Sequence, residues 1–486
     1  MIQANAGQLM ATRSPSRWFV GGLFAAAILL ASAPALANGQ STHLWITHDA
    51  VTHVPEGPLA EFLMRPELQK MFDNGSMFPD GGYPLGDDYA EIAHWEPFQI
   101  SYLNWITSSY AAPLSNEGRE HLAFLFGMAS HGMADQVFDS LYGERVKLYD
   151  GAFGEFDTAS DLIMMSNFEP MMAPGDWVPY MVFDSLYDGV GYDVDPEQMM
   201  DGQNLLRIAV NSVGVFSQMP DKVAEAAEPF PWGSVHLLDE HVSGAPPCEG
   251  EVIARYWRVL WALAHGQPLP GPVLATMPAD GAAGHPTDAG AIESWVTLVF
   301  SRGLEDAPLS EASFHVVAEG GETIPVVLWH YYGQDAHVVH LRPQQDFAAD
   351  TVYTVTVDPG VQTIHGEALD GYEFRFSTGA RGPEPIVPEW PADHDPDPDP
   401  GDGDGDPGDG DSGDGDGDGD PDGDGDGDGD GDGDTGAATD TSGGVAPADG
   451  GAGCGCVSDP RGGAPWPLLA LLGLGLGVGL GRRQRR

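Results

Sequence analysis

The sequence predicts a multidomain chain: a mostly α-helical domain, then a β-sandwich, then an acidic disordered linker and an apolar tail. Three observations carry that reading. Up to about residue 270, apolar residues recur at helical spacing, as in GEVIARYWRVLWALAH from Gly250 to His265. Beyond it the apolar segments shorten, alternate and are separated by turn residues, as all-β sandwiches require. From Pro383 a Pro-rich stretch and then an Asp-Gly repeat replace any pattern able to bury a core, and the like charges keep the segment extended.

At the N-terminus, Arg13 and Arg17 precede the apolar run Phe19 to Ala33 and the small-x-small sequence Ala35-Leu36-Ala37. This reads as a secretory signal over residues 1–37, with a mature chain beginning at Asn38; an uncleaved anchor is the alternative. An exported chain with only Cys248, Cys454 and Cys456 does not rely on disulfides as its main staple. The whole chain holds 20 basic and 74 acidic side chains, for a net charge of −54, and residues 38–270 alone hold 34 acidic against 9 basic. Such a surface repels phosphate backbones, so polynucleotide binding is disfavoured unless metal ions supply positive charge.

The helical domain is assigned to residues 38–270 and the sandwich to 271–380. Its strands are expected from Val273, then at Trp295 to Ser301, Ser313 to Val317, Ile324 to His330, His337 to Leu341, Val352 to Val357 and Tyr372 to Ser377. The stretches ATMPADGAAG, VTLVFSRGL, YTVTVDPGVQ and YEFRFSTG resemble bacterial immunoglobulin-like domains of surface proteins. His330, His337 and His340 alternate along strands and read as packing or surface residues. Residues 381–453 form the disordered linker; its Asp-x-Asp-x-Asp-Gly runs open like calcium loops but lack the closing Glu. Residues 454–486 join Cys454-Gly455-Cys456, the apolar run Trp466 to Leu480 and a basic end. That layout resembles the C-terminal sorting signals of myxobacterial-type surface proteins, which implies a sorting protease as partner and a cell-surface or outer-membrane location. A single transmembrane anchor is the alternative.

The chemistry concentrates in HLAFLFGMASHGMADQVFDSLYG, from His121 to Gly143. This reads as a helix that carries His131, Asp135 and Asp139 four apart on one face, a spacing suited to converging on metal ions. The plain alternative is a polar face turned to water. Four further elements favour the metal. His43 lies five residues into the expected mature chain, where a freed α-amino group at Asn38 would be a second nitrogen donor. Asp80 stands among turn residues in GSMFPDGGYP, His94 in AHWEPF, and Asp157 and Asp161 form another pair at helical spacing. His48 and His53 do not share the face of His43 and are left as structural or exposed.

Taken together, STHLWITHDAV, GSMFPD, HWEPF and HLAFLFGMASHGMADQ with SLYG resemble the zinc-dependent phospholipase C family, and within it the N-terminal domain of glycosylphosphatidylinositol-specific phospholipases D. The resemblance implies that His94, His131 and Asp135 hold one zinc. It implies a second on His43, the amino group and carbonyl of Asn38, and a bridging Asp135. Asp80 then corresponds to the carboxylate near the attacking water. A third metal in the family sits at the positions of Asp139, Asp157 and Asp161, where histidines usually contribute. The all-carboxylate set found here is harder and would accept calcium or magnesium, or stay empty.

The family implies hydrolysis of phospholipid or glycosylphosphatidylinositol-type phosphodiesters at a membrane surface, C-type or D-type, by a metal-bound hydroxide. Zinc lowers the pKa of bound water from about 15.7 to about 7, and two ions about 3.5 to 4 Å apart grip entering and leaving oxygens. Two alternatives remain: a single-strand nuclease on the same zinc framework, and a surface adhesion protein whose helical domain keeps metal for stability alone.

Overall fold

The structure, a computed structural model, describes residues 38–386 except 88, 152, 153, 155, 169–176, 307 and 331–335. The expected signal, the C-terminal tail and the expected linker beyond residue 386 therefore lie outside the described residues. No helix among those described is long and apolar enough to cross a membrane.

The first half is helical. In chain order the helices are α1 (Gln40–Thr52), α2 (Pro58–Leu63), α3 (Gln69–Met77), α4 (Tyr89–Ala93), α5 (Glu96–Ser109), α6 (Asn116–Val137), α7 (Glu144–Asp150), α8 (Phe156–Asn167), α9 (Tyr180–Gly189), α10 (Pro196–Phe216), α11 (Pro220–Ala227), α12 (Pro231–His236) and α13 (Pro246–Ala264). A 3-10 helix, Pro79–Leu85, follows α3, and a π-helical turn, Phe138–Gly143, joins α6 to α7. Six helices, α2, α5, α10, α11, α12 and α13, carry Pro in their first turn, where the missing N–H costs no helical hydrogen bond. Ser115 caps α6 by accepting from Gly118 N.

Helix α6 is the axis of this half. It is buried almost all round from Leu122 to Val137, as expected of a helix enclosed by others rather than laid on a surface. Helix α3 crosses it at very short range. A Cβ on Gly75 would lie 2.0 Å from the Phe124 carbonyl oxygen, and one on Gly127 would lie 2.0 Å from the Phe72 carbonyl oxygen. Only hydrogen side chains permit that approach. The crossing is tied by polar contacts as well: the Thr47 hydroxyl of α1 lies 2.9 Å from Ser76 Oγ of α3 and 2.7 Å from Ser130 Oγ of α6.

The second half is a sandwich of two four-stranded sheets. The strands are β1 (Val273–Met277), β2 (Val296–Phe300), β3 (Phe314–Ala318), β4 (Thr323–Ile324), β5 (Val326–His330), β6 (Val338–Pro343), β7 (Val352–Val357) and β8 (Tyr372–Ser377). One sheet runs β1-β2-β6-β5 and the other β4-β3-β7-β8, with antiparallel pairs throughout. Alternation along β7 points Tyr353, Val355 and Val357 inward, against Phe374 and Phe376 of β8. His340 on β6 and His337 just before it are buried.

The two halves share a core. Leu274, Met277, Val299, Ala336 and Val338 from the β-half belong to the same apolar cluster as α6 and α13. The contact also holds a buried ionic cluster around Glu96. Its carboxylate accepts from Arg302 Nε at 2.6 Å and from Gly303 N, with His337 Nε2 at 3.5 Å and His365 Nε2 at 3.4 Å. Burial alone would raise the Glu96 carboxyl, but the His365 hydrogen bond and the charges of His337 and Arg302 hold it at about 2. Since burial pushes His337 itself down, the permanent cation in the cluster is Arg302.

The glycine crossing yields the first prediction. Gly127→Ala drives a methyl group into the Phe72 carbonyl and the Ser76 amide, main-chain atoms that no rotamer change relieves. Overpacking of this kind costs about 1–3 kcal/mol. Denaturant unfolding should register that loss, whereas Gly189→Ala, which meets nothing, should stay within about 0.5 kcal/mol after correction for helix propensity.

Candidate metal centre

Four elements bring five side chains to one buried point. Helix α1 brings His43, the 3-10 helix after α3 brings Asp80, the corner between α4 and α5 brings His94, and α6 brings His131 and Asp135. Asp135 is the hub. Its Oδ1 lies 2.9 Å from His43 Nε2, and its Oδ2 lies 3.2 Å from His94 Nε2 and 3.4 Å from His131 Nε2. Asp80 Oδ1 faces the same two rings, 3.3 Å from His94 Nε2 and 3.4 Å from His131 Nε2. The His43 and His131 rings stack with centroids 3.6 Å apart.

Each ring of the second pair is aimed by the main chain. His131 Nδ1 donates to the Ser76 carbonyl at 2.6 Å, and His94 Nδ1 to the Ala90 carbonyl at 2.8 Å, which turns both Nε2 atoms toward the carboxylates. The Ser76 carbonyl is fixed by the α3–α6 crossing. His94 is seated from behind, its carbonyl accepting from Gln99 Nε2 at 2.9 Å while Gly132 of α6 leaves room for that same carbonyl. Gln40, one turn before His43, donates Nε2 to Asp80 Oδ2 and so leaves Oδ1 to face the imidazoles.

The residues fit a pair of divalent ions. Two groups of converging donor atoms stand out among the described residues, His43 with His131 and Asp135, and Asp80 with His94 and His131. Both Asp135 oxygens, Asp80 Oδ1 and both ring nitrogens of His43 are buried without a well-formed hydrogen bond to protein. Buried carboxylates left in that state call for a cation. Mixed imidazole and carboxylate donors suit zinc.

Protons fill part of that need when no ion is bound. Burial opposes the charged form of His94, yet hydrogen bonds and charge from Asp135 and Asp80 raise it well above its usual value, and the same carboxylates bring His131 to about 9. Burial would raise Asp80 and Asp135; the surrounding imidazoles hold both well below the usual carboxylate range. His43 goes the other way, lowered by burial and by the charge of His131.

The expected third set is separate from these two groups. Asp139, Asp157 and Asp161 belong to neither converging group among the described residues. Asp139 lies at the start of the π turn and is buried, and its charge acts on Glu249 as that of Asp135 does. Asp161 is engaged elsewhere: its carboxylate accepts from Ser41 N at 3.2 Å, Thr42 N at 2.8 Å and Thr42 Oγ1 at 3.0 Å, capping α1. Burial pushes Asp161 up to about 6 and, helped by the charge of Asp161, Asp157 up to about 7.

Asn38 is buried at the chain's first described position, and its side-chain amide lies 3.4 Å from Glu249 Oε2. Glu249, in the first turn of α13, is raised well above its usual value by burial and by the charges of Asp135 and Asp139. Neither Glu249 nor Gln40 was singled out in the sequence. Gln40 offered a signal, being three residues before His43 on a helix, while Glu249 looked like any acid beginning a helix. His48 pairs with Asp73 at 2.7 Å and His53 with Asp49 at 3.2 Å, both away from the centre.

Residues 270–378 match the family of bacterial Ig-like domains. Over 113 residues the chain is 35% identical to a phosphatidylinositol-glycan-specific phospholipase D of Bos taurus, covering 21% of this chain and 13% of that protein. The enzyme of the same name from Dictyostelium discoideum is 27% identical over 195 residues, 36% of this chain and 20% of its own, and that of Homo sapiens 31% over 150 residues, 27% and 18%. The homology is thus partial and of low identity, and the chain spans a fifth or less of the length of these relatives.

Proton loading gives a prediction with a definite sign. Because His94 and His131 hold protons at neutral pH, an incoming zinc ion displaces them, so zinc affinity should rise with pH up to about 9. Calorimetric titrations in buffers of different ionisation enthalpy should report proton release. In chelator-treated protein the raised imidazoles contribute stability that is complete below their unfolded value of about 6.5 and is lost as pH rises through about 9. Its unfolding midpoint should fall across that window, and that of zinc-loaded protein should not follow it.

Proposed function

We propose that the helical half is a zinc-dependent phosphodiesterase of phospholipase C or D type, acting on phospholipid or glycosylphosphatidylinositol headgroups at a membrane surface, in an exported protein held at the cell surface. The observation that carries this reading is the shared carboxylate: Asp135 offers one oxygen to His43 and the other to His94 and His131. A carboxylate in that posture is suited to bridging two ions. The partial homology to phosphatidylinositol-glycan-specific phospholipases D supports the substrate class.

In this reading His94, His131, Asp80 and one oxygen of Asp135 hold the first zinc. His43, the other Asp135 oxygen, and the freed amino group and carbonyl of Asn38 hold the second. Zinc, when bound, supplies Lewis acidity that makes water nucleophilic near neutral pH and offsets charge on the phosphoryl oxygens. The protein's own work is placement. Asp80, with Oδ2 held by Gln40, presents Oδ1 beside His94 and His131, where it orients the attacking water. Water oxygen joins phosphorus, the bond to the leaving oxygen breaks, and the proton passes on to that oxygen. The surrounding acidic surface leaves the ions as the local positive charge for an anionic lipid, which disfavours the nuclease alternative.

Asp80 therefore carries two duties. Its place beside His94 and His131 makes it a ligand as well as the group near the attacking water, so Asp80→Asn should weaken zinc binding and also reduce turnover. Asp135→Ala should lose zinc at both positions and reduce release of lipid product by more than about 100-fold. The assay uses zinc-loaded full chain on phosphatidylinositol vesicles, phosphatidylcholine vesicles and a glycosylphosphatidylinositol-anchored protein, with single-stranded DNA in parallel. Diacylglycerol marks C-type cleavage and phosphatidic acid D-type. Zinc binding with no product from any lipid would leave the adhesion reading in its place.

A further inference from the structure

We propose that the β-sandwich is part of the metal centre's support, and that Arg302 is a positioning residue for it, acting through Glu96 on His94. The inference rests on the metal-centre reading above and adds to it a role for the other half of the chain.

Glu96 opens α5 two residues after His94, in the same tight corner. It is 1% exposed, and among the described residues its cationic and N–H partners all come from the β-half. Those partners arrive from three separate segments: Arg302 and Gly303 after β2, His337 before β6, and His365 between β7 and β8. Arg302 is itself buried and is held from its far side by Glu367, with Nη1 to Oε2 at 3.0 Å. The guanidinium is thus a fixed strut between one end of the sandwich and the start of α5.

A second tie runs to the other ligand helix. The His337 main-chain N–H donates to Gln136 Oε1 at 2.8 Å, and Gln136 follows Asp135 directly. A third contact closes the frame from within the helical half, where Tyr256 of α13 donates to Gln99 Oε1 at 3.0 Å while Gln99 holds the His94 carbonyl. The β-half therefore grips the chain beside His94 and beside Asp135, the two groups that must converge on a common ion. Buried ion pairs are poor sources of net stability, and fixing one arrangement against others is the use to which they are best suited. Outer partners of metal ligands set ligand orientation, and their loss costs about 10–100-fold in affinity.

The test uses the full chain and zinc or cobalt alone as probe. Arg302→Ala should weaken zinc binding by about 10–100-fold in competition with a chromophoric chelator and alter the visible absorption of the cobalt-substituted protein. Arg302→Lys, which keeps the charge without the forked geometry, should recover part of both. Glu96→Gln, which preserves shape, provides a second route should Arg302→Ala fail to fold. Val355→Ala, in the sandwich core, is the control: it lowers the unfolding midpoint but leaves zinc affinity and the cobalt spectrum unchanged. The proposal is overturned if Arg302→Ala and Glu96→Gln bind zinc within twofold of wild type with the wild-type cobalt spectrum, whatever their unfolding midpoints. If wild type itself binds neither ion, the metal-centre reading fails and this one with it, an outcome told apart by the wild-type titration.

Discussion

Negative charge buried without a permanent cation governs this molecule's helical half. Among the described residues Asp80 and Asp135 meet three imidazoles and pair with no lysine or arginine, so the balance there depends on mobile positive charge, either protons or metal ions. Leaving even one such carboxylate bare in a low-dielectric interior costs several kcal/mol. The arrangement persists only because α1, α3, α4, α5 and α6 are locked into one apolar core around it. Packing energy holds the charges together, and the charges in turn define what the core can accept at its centre.

The same scarcity of cations recurs at the boundary between the halves. Residues 38–270 hold few basic side chains, and the buried Glu96 takes its permanent counter-charge from Arg302, across the boundary. The shared apolar cluster shows that this is no incidental touch, since strands β1, β2 and β6 contribute to the core that α6 and α13 build. Charge and hydrophobic burial thus point the same way, to two halves that complete one another.

Much of this was legible in the sequence, and what was not has a common cause. Strands announced themselves by alternation: β7 and β8 begin and end where Val352 to Val357 and Tyr372 to Ser377 alternate. Five site residues, His43, Asp80, His94, His131 and Asp135, could be named because imidazoles and carboxylates at unusual positions are conspicuous. Asp161 reads as a ligand in one dimension and as a helix cap in three, because its donors Ser41 and Thr42 lie about 120 positions away. Glu96 sat within a quoted motif and still passed for an ordinary helix-opening acid. Its partners lie more than 200 residues downstream, and no local pattern encodes burial at that range.

Two of the imidazoles take their bearing from carbonyl groups, Ser76 and Ala90, rather than from other side chains. Every amino acid carries the same carbonyl, so Ser76 and Ala90 could be exchanged for other residues without removing the oxygen that aims each ring. What such a site cannot survive is a change in the path of the chain that brings those oxygens near. Divergence in such a protein is therefore free to run through side-chain identity so long as the glycines at the helix crossing hold the trace, and a search guided by backbone geometry would recognise its kin long after letter-by-letter resemblance had faded.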